Sequence, residues 1–299
     1  MTLSSKKPNF FIIGAPKCGT TALREYLSTH PKVFLSSVKG PKFFNTDFGR
    51  NLIKTWNQYT ELFEGSEAYP AVGEATAEYL RSRDAVPGIL AFNADAKFIV
   101  MIRNPADMFH SLYYQFRYYT HIEDANSPKE AWKLQEKRRK GKGIPASCDN
   151  PELLQYGPFC SLGEQLERLY SLVPREQVPV LFFVDFISDT KRAYHEVLSF
   201  LEVPLDARTD FPSVNERKTL RFPRALPSLL SFLSRVKREL GIQYNFGVFS
   251  FLQLSNQKKL DVPTQDPEFR QELLRYFRAD IEKLGNLTGR DLSHWMLKK

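Results

Sequence analysis

The stretch Asn9–Leu27, NFFIIGAPKCGTTALREYL, decides the fold. Phe10–Ile13 is a short apolar run of the kind that forms a strand buried on both faces. Gly14 to Gly19 breaks the regularity, and Thr20–Leu27 has the composition of a helix with few breakers. Strand, glycine-bounded loop and helix is a phosphate-cradling arrangement, because loop amides and the positive helix end face an anion. The common nucleotide loop reads GxxxxGK[ST]. Here Gly14 and Gly19 are followed by Thr20 and Thr21, so threonine stands where lysine is expected, and the lysine lies inside the loop as Lys17. A plain strand–turn–helix would explain the glycines but not PKCGTT. The loop therefore reads as an anion site with a displaced cation, and Pro16, Lys17, Cys18, Gly19, Thr20 and Thr21 are its candidate residues.

A second stretch, Lys97–Phe116, repeats the logic. Lys97–Ile102 reads as a strand closed by Arg103-Asn104-Pro105. Asn104 can cap a helix and Pro105 can occupy its first position, so a helix is expected from there past Tyr119. Arg103 at the strand's carboxyl edge and Ser111 on the helix would meet at a second phosphate, which a guanidinium can hold through two parallel hydrogen bonds. Ser111, Gln115 and Tyr118 share one helix face. His110 lies about 100° round from Ser111, hence away from that phosphate, and with His121 could share another face.

The two stretches together resemble the sulfotransferases that use 3′-phosphoadenosine 5′-phosphosulfate (PAPS). In that family a PKxGTT loop holds the 5′-phosphosulfate, and a strand–RNP–helix segment ending in serine holds the 3′-phosphate. The resemblance covers most of the chain and is nearest to bacterial members related to carbohydrate (heparan-sulfate-type) sulfotransferases. It implies a three-layer α/β fold of P-loop type, with a central parallel sheet flanked by helices. It also implies PAPS as co-substrate, adenosine 3′,5′-bisphosphate as product and no metal. Lys17 would neutralise the bridging oxygen of the donor.

One departure from the family is informative. Its members usually show KExHFF after the second strand, with the glutamate as the acceptor base. This chain reads Lys39-Gly40-Pro41-Lys42-Phe43-Phe44, so glycine and lysine replace the glutamate and the histidine. Candidates for the base are then Glu74, His110 and Lys42, with His121 behind them. Glu74 lies in GEATAEYL, which resembles the family's GExxPxYL with Ala77 in place of proline. It is expected either to point from a strand end into the cleft or to serve as a surface or capping carboxylate.

The remaining pattern completes the sheet. Val33–Ser36, Ala71–Glu74 and Val178–Val184 read as strands, giving five interleaved with helices, and hence a parallel sheet whose ligand lies at the strands' carboxyl ends. Trp56–Phe63, Ser161–Leu172, a segment capped by Asp189 and Thr190, and Phe269–Leu284 read as helices. Residues 124–155, which include KLQEKRRKGKG, suggest a solvated mobile segment or a basic lid over the acceptor. In Phe211–Leu226, Arg217, Lys218 and Arg221 are candidates for the 3′-phosphate or adenine, or else part of a solvated loop. From residue 226 a helical part is expected, with an apolar stripe at Leu229, Phe232, Leu233, Val236 and Leu240 that suits core packing or a membrane surface. Trp295 is expected to pack.

At 299 residues, with 42% hydrophobic residues and 24 phenylalanines, the chain suits a single large domain. A net charge of +8 favours anionic partners, and PAPS itself carries roughly four negative charges by analogy with phosphate esters. Without zinc-ligand spacing or repeats, nothing points to nucleic acid. Three cysteines, Cys18, Cys148 and Cys160, make no CxxC pair, and Met1–Pro8 has no apolar core. No apolar run approaches the roughly 18–20 residues of a membrane span. A cytoplasmic enzyme acting on a saccharide or small-molecule acceptor is the expectation, with no oligomeric state implied. Two rival readings are a P-loop kinase or NTPase with Asp185 as metal ligand, since Val178–Val184 runs into that aspartate, and a polyanion-binding module without turnover.

Overall fold

The computed structural model describes residues 7–48, 53–212, 214 and 262–297, together with the backbone of 218–220 and 257–259. Five strands, β1 (Phe10–Gly14), β2 (Val33–Leu35), β3 (Ala71–Ala75), β4 (Lys97–Ile102) and β5 (Val180–Phe182), form one parallel sheet in the order β2-β3-β1-β4-β5. The flanking helices are α1 (Thr20–Leu27), α2 (Trp56–Glu61), α3 (Ala85–Phe92), α4 (Pro105–Tyr118), α5 (Pro128–Arg139), α6 (Tyr156–Cys160), α7 (Leu162–Tyr170), α8 (Phe183–Ser188), α9 (Thr190–Phe200) and α10 (Pro267–Thr288). A separate antiparallel pair joins β6 (Lys218–Leu220) to β7 (Gln257–Lys259).

β1 occupies the middle of the sheet with a partner on each side, and all five of its residues are buried. That is why its sequence is continuously apolar rather than alternating. Gly73 of β3 passes directly beneath the Phe10 ring, where a Cβ would lie 2.5 Å from ring carbons. Parallel strands place their carboxyl ends along one edge. The segments that follow Gly14, Leu35, Ala75 and Ile102 therefore share that edge, and the candidate site is built there.

The C-terminal part clamps onto this frame. The Asp280 carboxylate on α10 accepts from the amides of Gly163 and Glu164 at 2.9 Å each, satisfying first-turn donors of α7. Arg270 pairs with Asp107 of α4, and Asn104 donates to the Trp295 carbonyl at 3.2 Å. Trp295 is buried with its ring 6.1 Å from Phe182, so it packs as expected.

Several expectations are corrected. Only Val180–Phe182 of the apolar run 178–184 pairs with β4, and Phe183–Ser188 turns into a helix with Val184 and Ile187 exposed. A short apolar run does not by periodicity distinguish strand from helix. α4 ends at Tyr118, and His121 lies beyond it at φ 56°, so His110 and His121 share no helix face. The Leu229–Leu240 stripe lies outside the described residues.

The basic segment 124–155 is anchored rather than uniformly solvated. Ser127 caps α5, accepting from Glu130 N at 3.1 Å. One guanidinium of the basic run turns inward: Arg138 donates to both Glu123 oxygens at 2.7 and 2.6 Å, with both side chains fully buried. Tyr156 donates to the same carboxylate at 2.7 Å, and Asp124 and the Gly143 carbonyl take further Arg138 donors. Removing one partner strands a buried charge, at a cost of about 3–5 kcal/mol. Arg138→Met should therefore lower stability by that order in urea unfolding, whereas Arg139→Met, at an exposed pair, should change it by about 1 kcal/mol or less.

Candidate functional site

The loop after β1 is curled by two left-handed residues, Lys17 at φ 67° and Gly19 at φ 95°. A Cβ at Gly19 would also press tightly on Met101 and Phe183 at 3.1 Å. The loop is tied to the next strand by Ala15 N donating to the Met101 carbonyl at 2.6 Å, and closes on itself through Cys18 N to Ala15 O at 3.2 Å. Thr20 and Thr21 are the first helical residues of α1, whose first-turn amides have no acceptor within the helix. Strand, curled loop and helix N-terminus thus follow one another in the order that the sequence implied.

Cys18 contributes backbone only. Its side chain is buried and its thiol donates to the Pro16 carbonyl at 3.5 Å. Burial pushes the thiol up to about 12, so it stays protonated at neutral pH.

Arg103 leaves the end of β4 and reaches back to the loop. Its Nη1 donates to the Lys17 carbonyl at 3.3 Å and its guanidinium lies 4.6 Å from the centre of the Phe183 ring. Ser111 is buried on α4. Arg103 also lines a cleft of about 980 Å³ together with Asp107, His110, Arg270, Gln271 and Arg275. His110 is buried with its ring 4.9 Å from Tyr114. It borders the same cleft as Arg103, on the side of α10, and neither Ser111 nor the loop after β1 lines that cleft.

The other candidates fare differently. Glu74 is fully buried and does not open onto the cleft. Its residue on β3 pairs with Phe11, and its carboxyl accepts from Thr76 Oγ1 at 3.2 Å while the Tyr59 and Tyr79 hydroxyls face it. Neither the Tyr59 hydroxyl nor Glu74 Oε2 completes a hydrogen bond of normal geometry. Burial pushes the carboxyl up to about 7, against hydroxyl contacts that lower it. A base must come within hydrogen-bond reach of the proton it takes, and the surrounding aromatic rings keep an acceptor out. Lys42, at φ 56°, holds the Glu78 carboxylate at 2.7 Å. Arg217 and Arg221 and the side chain of Lys218 lie outside the described residues. Lys39, passed over in the sequence, donates to Thr21 Oγ1 of the loop; its position directly before Gly40 was the available signal.

Asp185 is not placed as a metal ligand. It sits within α8, and Arg290 Nη2 donates to its Oδ1 at 2.9 Å with a second bond from Nη1, which holds the carboxyl below its usual range. Among the described residues no group of histidine, cysteine, aspartate and glutamate could hold a metal ion, and no helix is long and apolar enough to cross a membrane.

The profile of the sulfotransferase domain matches residues 7–230 of this chain. The chain belongs to the sulfotransferase family. The chain is 26% identical to the membrane-associated sulfotransferase kil1 of Dictyostelium discoideum over 325 residues, covering 95% of this chain and 66% of the relative. It is 28% identical to carbohydrate sulfotransferase 15 of Mus musculus, covering 80% of this chain and 52% of that protein. The chain thus spans between about half and two thirds of the length of these curated relatives. Its fold matches the crystal structure of a sulfotransferase from Alicyclobacillus acidocaldarius with a TM-score of 0.72 and 25% identity, over 98% of this chain and all of the other.

The Glu74 environment makes stability depend on pH. The folded chain retains a proton at Glu74 that the unfolded chain, with an ordinary value of 4.5, releases. Stability is therefore greatest below that value, falls as pH rises towards about 7 and levels off above it. The loss is about 3 kcal/mol at 1.36 kcal/mol per pKa unit. Thermal unfolding followed across this range should show the decline in the wild type and a flatter profile in Glu74→Gln, whose turnover should stay near that of the wild type.

Proposed function

We propose that this member of the family is an enzyme that moves a sulfuryl group from PAPS to a hydroxyl or amine of a saccharide or small-molecule acceptor. The observation that carries the reading is the bond from Arg103 to the Lys17 carbonyl, which joins two anion-binding elements at one edge of the sheet. The reading takes a donor with two separate phosphate groups, one for each element. Gly19, Thr20 and Thr21 offer amides and hydroxyls to the 5′-phosphate, and Arg103 with Ser111 serves the 3′-phosphate. The carbohydrate sulfotransferase among the relatives supports a saccharide acceptor.

In the transfer, an acceptor oxygen or nitrogen forms a bond to sulfur in line with the bond that breaks. The departing phosphate oxygen keeps the electron pair, and the acceptor releases its proton. Lys17 neutralises charge on that oxygen as it develops, a task for a fixed cation rather than a covalent intermediate. The transferred group carries less charge than a phosphoryl group, so protein cations suffice in this reading.

Two outcomes test it. Adenosine 3′,5′-bisphosphate should raise the melting temperature without magnesium, by preferential binding to the folded chain, and more than ATP does; equal stabilisation by ATP with magnesium alone would favour a kinase. Lys17→Ala should lower turnover by roughly 10²–10³, about 3–4 kcal/mol. Arg103→Ala should chiefly weaken bisphosphate binding, because the 3′-phosphate takes no part in the reaction; a larger effect on turnover than on binding would reverse the two roles.

A further inference from the structure

The segment after β2 crosses the edge of the sheet as a strap. Ser36 N donates to the Gly73 carbonyl at 2.9 Å, and Ser36 Oγ donates to the Val38 carbonyl at 2.7 Å. From α1, Arg24 Nη2 donates to the Ser36 carbonyl at 2.9 Å. Beyond Lys39, Gly40 N donates to Ala75 O at 3.0 Å, at the carboxyl end of β3. The backbone on both sides of Lys39 is therefore held, and its side chain reaches the phosphate loop, where Nζ donates to Thr21 Oγ1. An ammonium has three N–H donors, and this contact uses one.

Sheet order gives this cation its meaning. β1, which carries the loop, has β4 with Arg103 on one side and β3 then β2, with Lys39, on the other. The loop is thus flanked by cations on opposite sides. If the 3′-phosphate lies toward Arg103, the sulfuryl end of the donor extends past Thr21 toward Lys39. Lys42, three residues along, is already held by Glu78. Gly40, at φ 66° with nothing within 4 Å of a Cβ, leaves open space beside Lys39 on the acceptor side.

We propose that Lys39 is a second catalytic cation, contacting the sulfuryl group from the acceptor side while Lys17 serves the departing oxygen. The assignment rests on PAPS being the donor. It makes a distinction no purely structural tether would make: adenosine 3′,5′-bisphosphate has the 5′-phosphate but no sulfuryl group, so Lys39 should matter to transfer and not to bisphosphate binding.

The experiment compares the wild type with Lys39→Gln and Lys39→Arg in bisphosphate titration and in sulfuryl transfer from PAPS to the acceptor in use. Lys39→Gln should lower kcat by roughly 10²-fold while bisphosphate affinity stays within about threefold of the wild type. Lys39→Arg, which keeps the charge, should recover part of the loss, with melting temperatures near that of the wild type in both variants. A parallel loss of bisphosphate affinity would overturn the proposal, assigning Lys39 to the 5′-phosphate instead. Unchanged turnover in Lys39→Gln would also overturn it, leaving only a resting contact with Thr21. Failure of the wild type to bind bisphosphate is a different result, visible before any variant is made, and would reject the donor itself.

Discussion

The amide of Ala15 donates to the Met101 carbonyl at 2.6 Å, and the geometry of the site depends on that cross-strand bond. It carries the pairing of β1 with β4 one residue past the end of β1, at the point where the chain leaves the sheet. The loop therefore starts its turn in fixed relation to Arg103, two residues beyond Met101. Arg103 then returns to the Lys17 carbonyl, so one backbone bond and one side-chain bond hold the loop against β4 and its end. Neither contact involves a reacting group. In the reading proposed above their effect is preorganisation, with the loop shaped before the donor arrives.

The same edge separates cations by task. Arg270 with Asp107, Arg290 with Asp185 and Arg138 with Glu123 are ion pairs that hold helices and the C-terminal segment in place. Lys39 and Arg103 instead reach a hydroxyl and a backbone oxygen of the segment that follows β1. The net charge of +8 is thus an incomplete guide, because basic residues of both kinds contribute to it. Arg138 makes the point most clearly: it belongs to the most basic run of the chain and is among its most deeply buried side chains.

Glu74 shows a second separation, between an unusual carboxyl and a catalytic one. Its raised value has the range a base needs near neutral pH, yet it arises from enclosure by Tyr59, Tyr79 and neighbouring phenylalanine rings. The enclosure that shifts the proton equilibrium also bars the acceptor. The Phe43 and Tyr59 rings, stacked at 4.5 Å, and the Phe44 amide on the Tyr79 hydroxyl link this cage to the segment that carries Lys39. The carboxyl is thus tied through its cage to that segment without reaching the surface.

The sequence by itself determined the framework. A continuous apolar run before a glycine-bounded loop, and a second run before Arg103-Asn104-Pro105, are local patterns whose elements form almost at the expected boundaries: α1 spans Thr20–Leu27 and β4 spans Lys97–Ile102. Periodicity, capping and breakers act over a few residues, so they are legible along the chain. Tertiary structure alone decided which side chains face the site. Strand 178–184 was cut to three residues because only those have a partner in β4, which moved Asp185 into a helix and onto Arg290. Glu74 was enclosed by aromatic residues from distant segments, Arg138 turned inward to Glu123, His110 came to border the cleft, and Lys39 was carried to Thr21 across two strand positions. Each of these outcomes depends on groups far apart in sequence. The burial and charge that set a side chain's chemistry belong to the space around it, and only the folded chain defines that space.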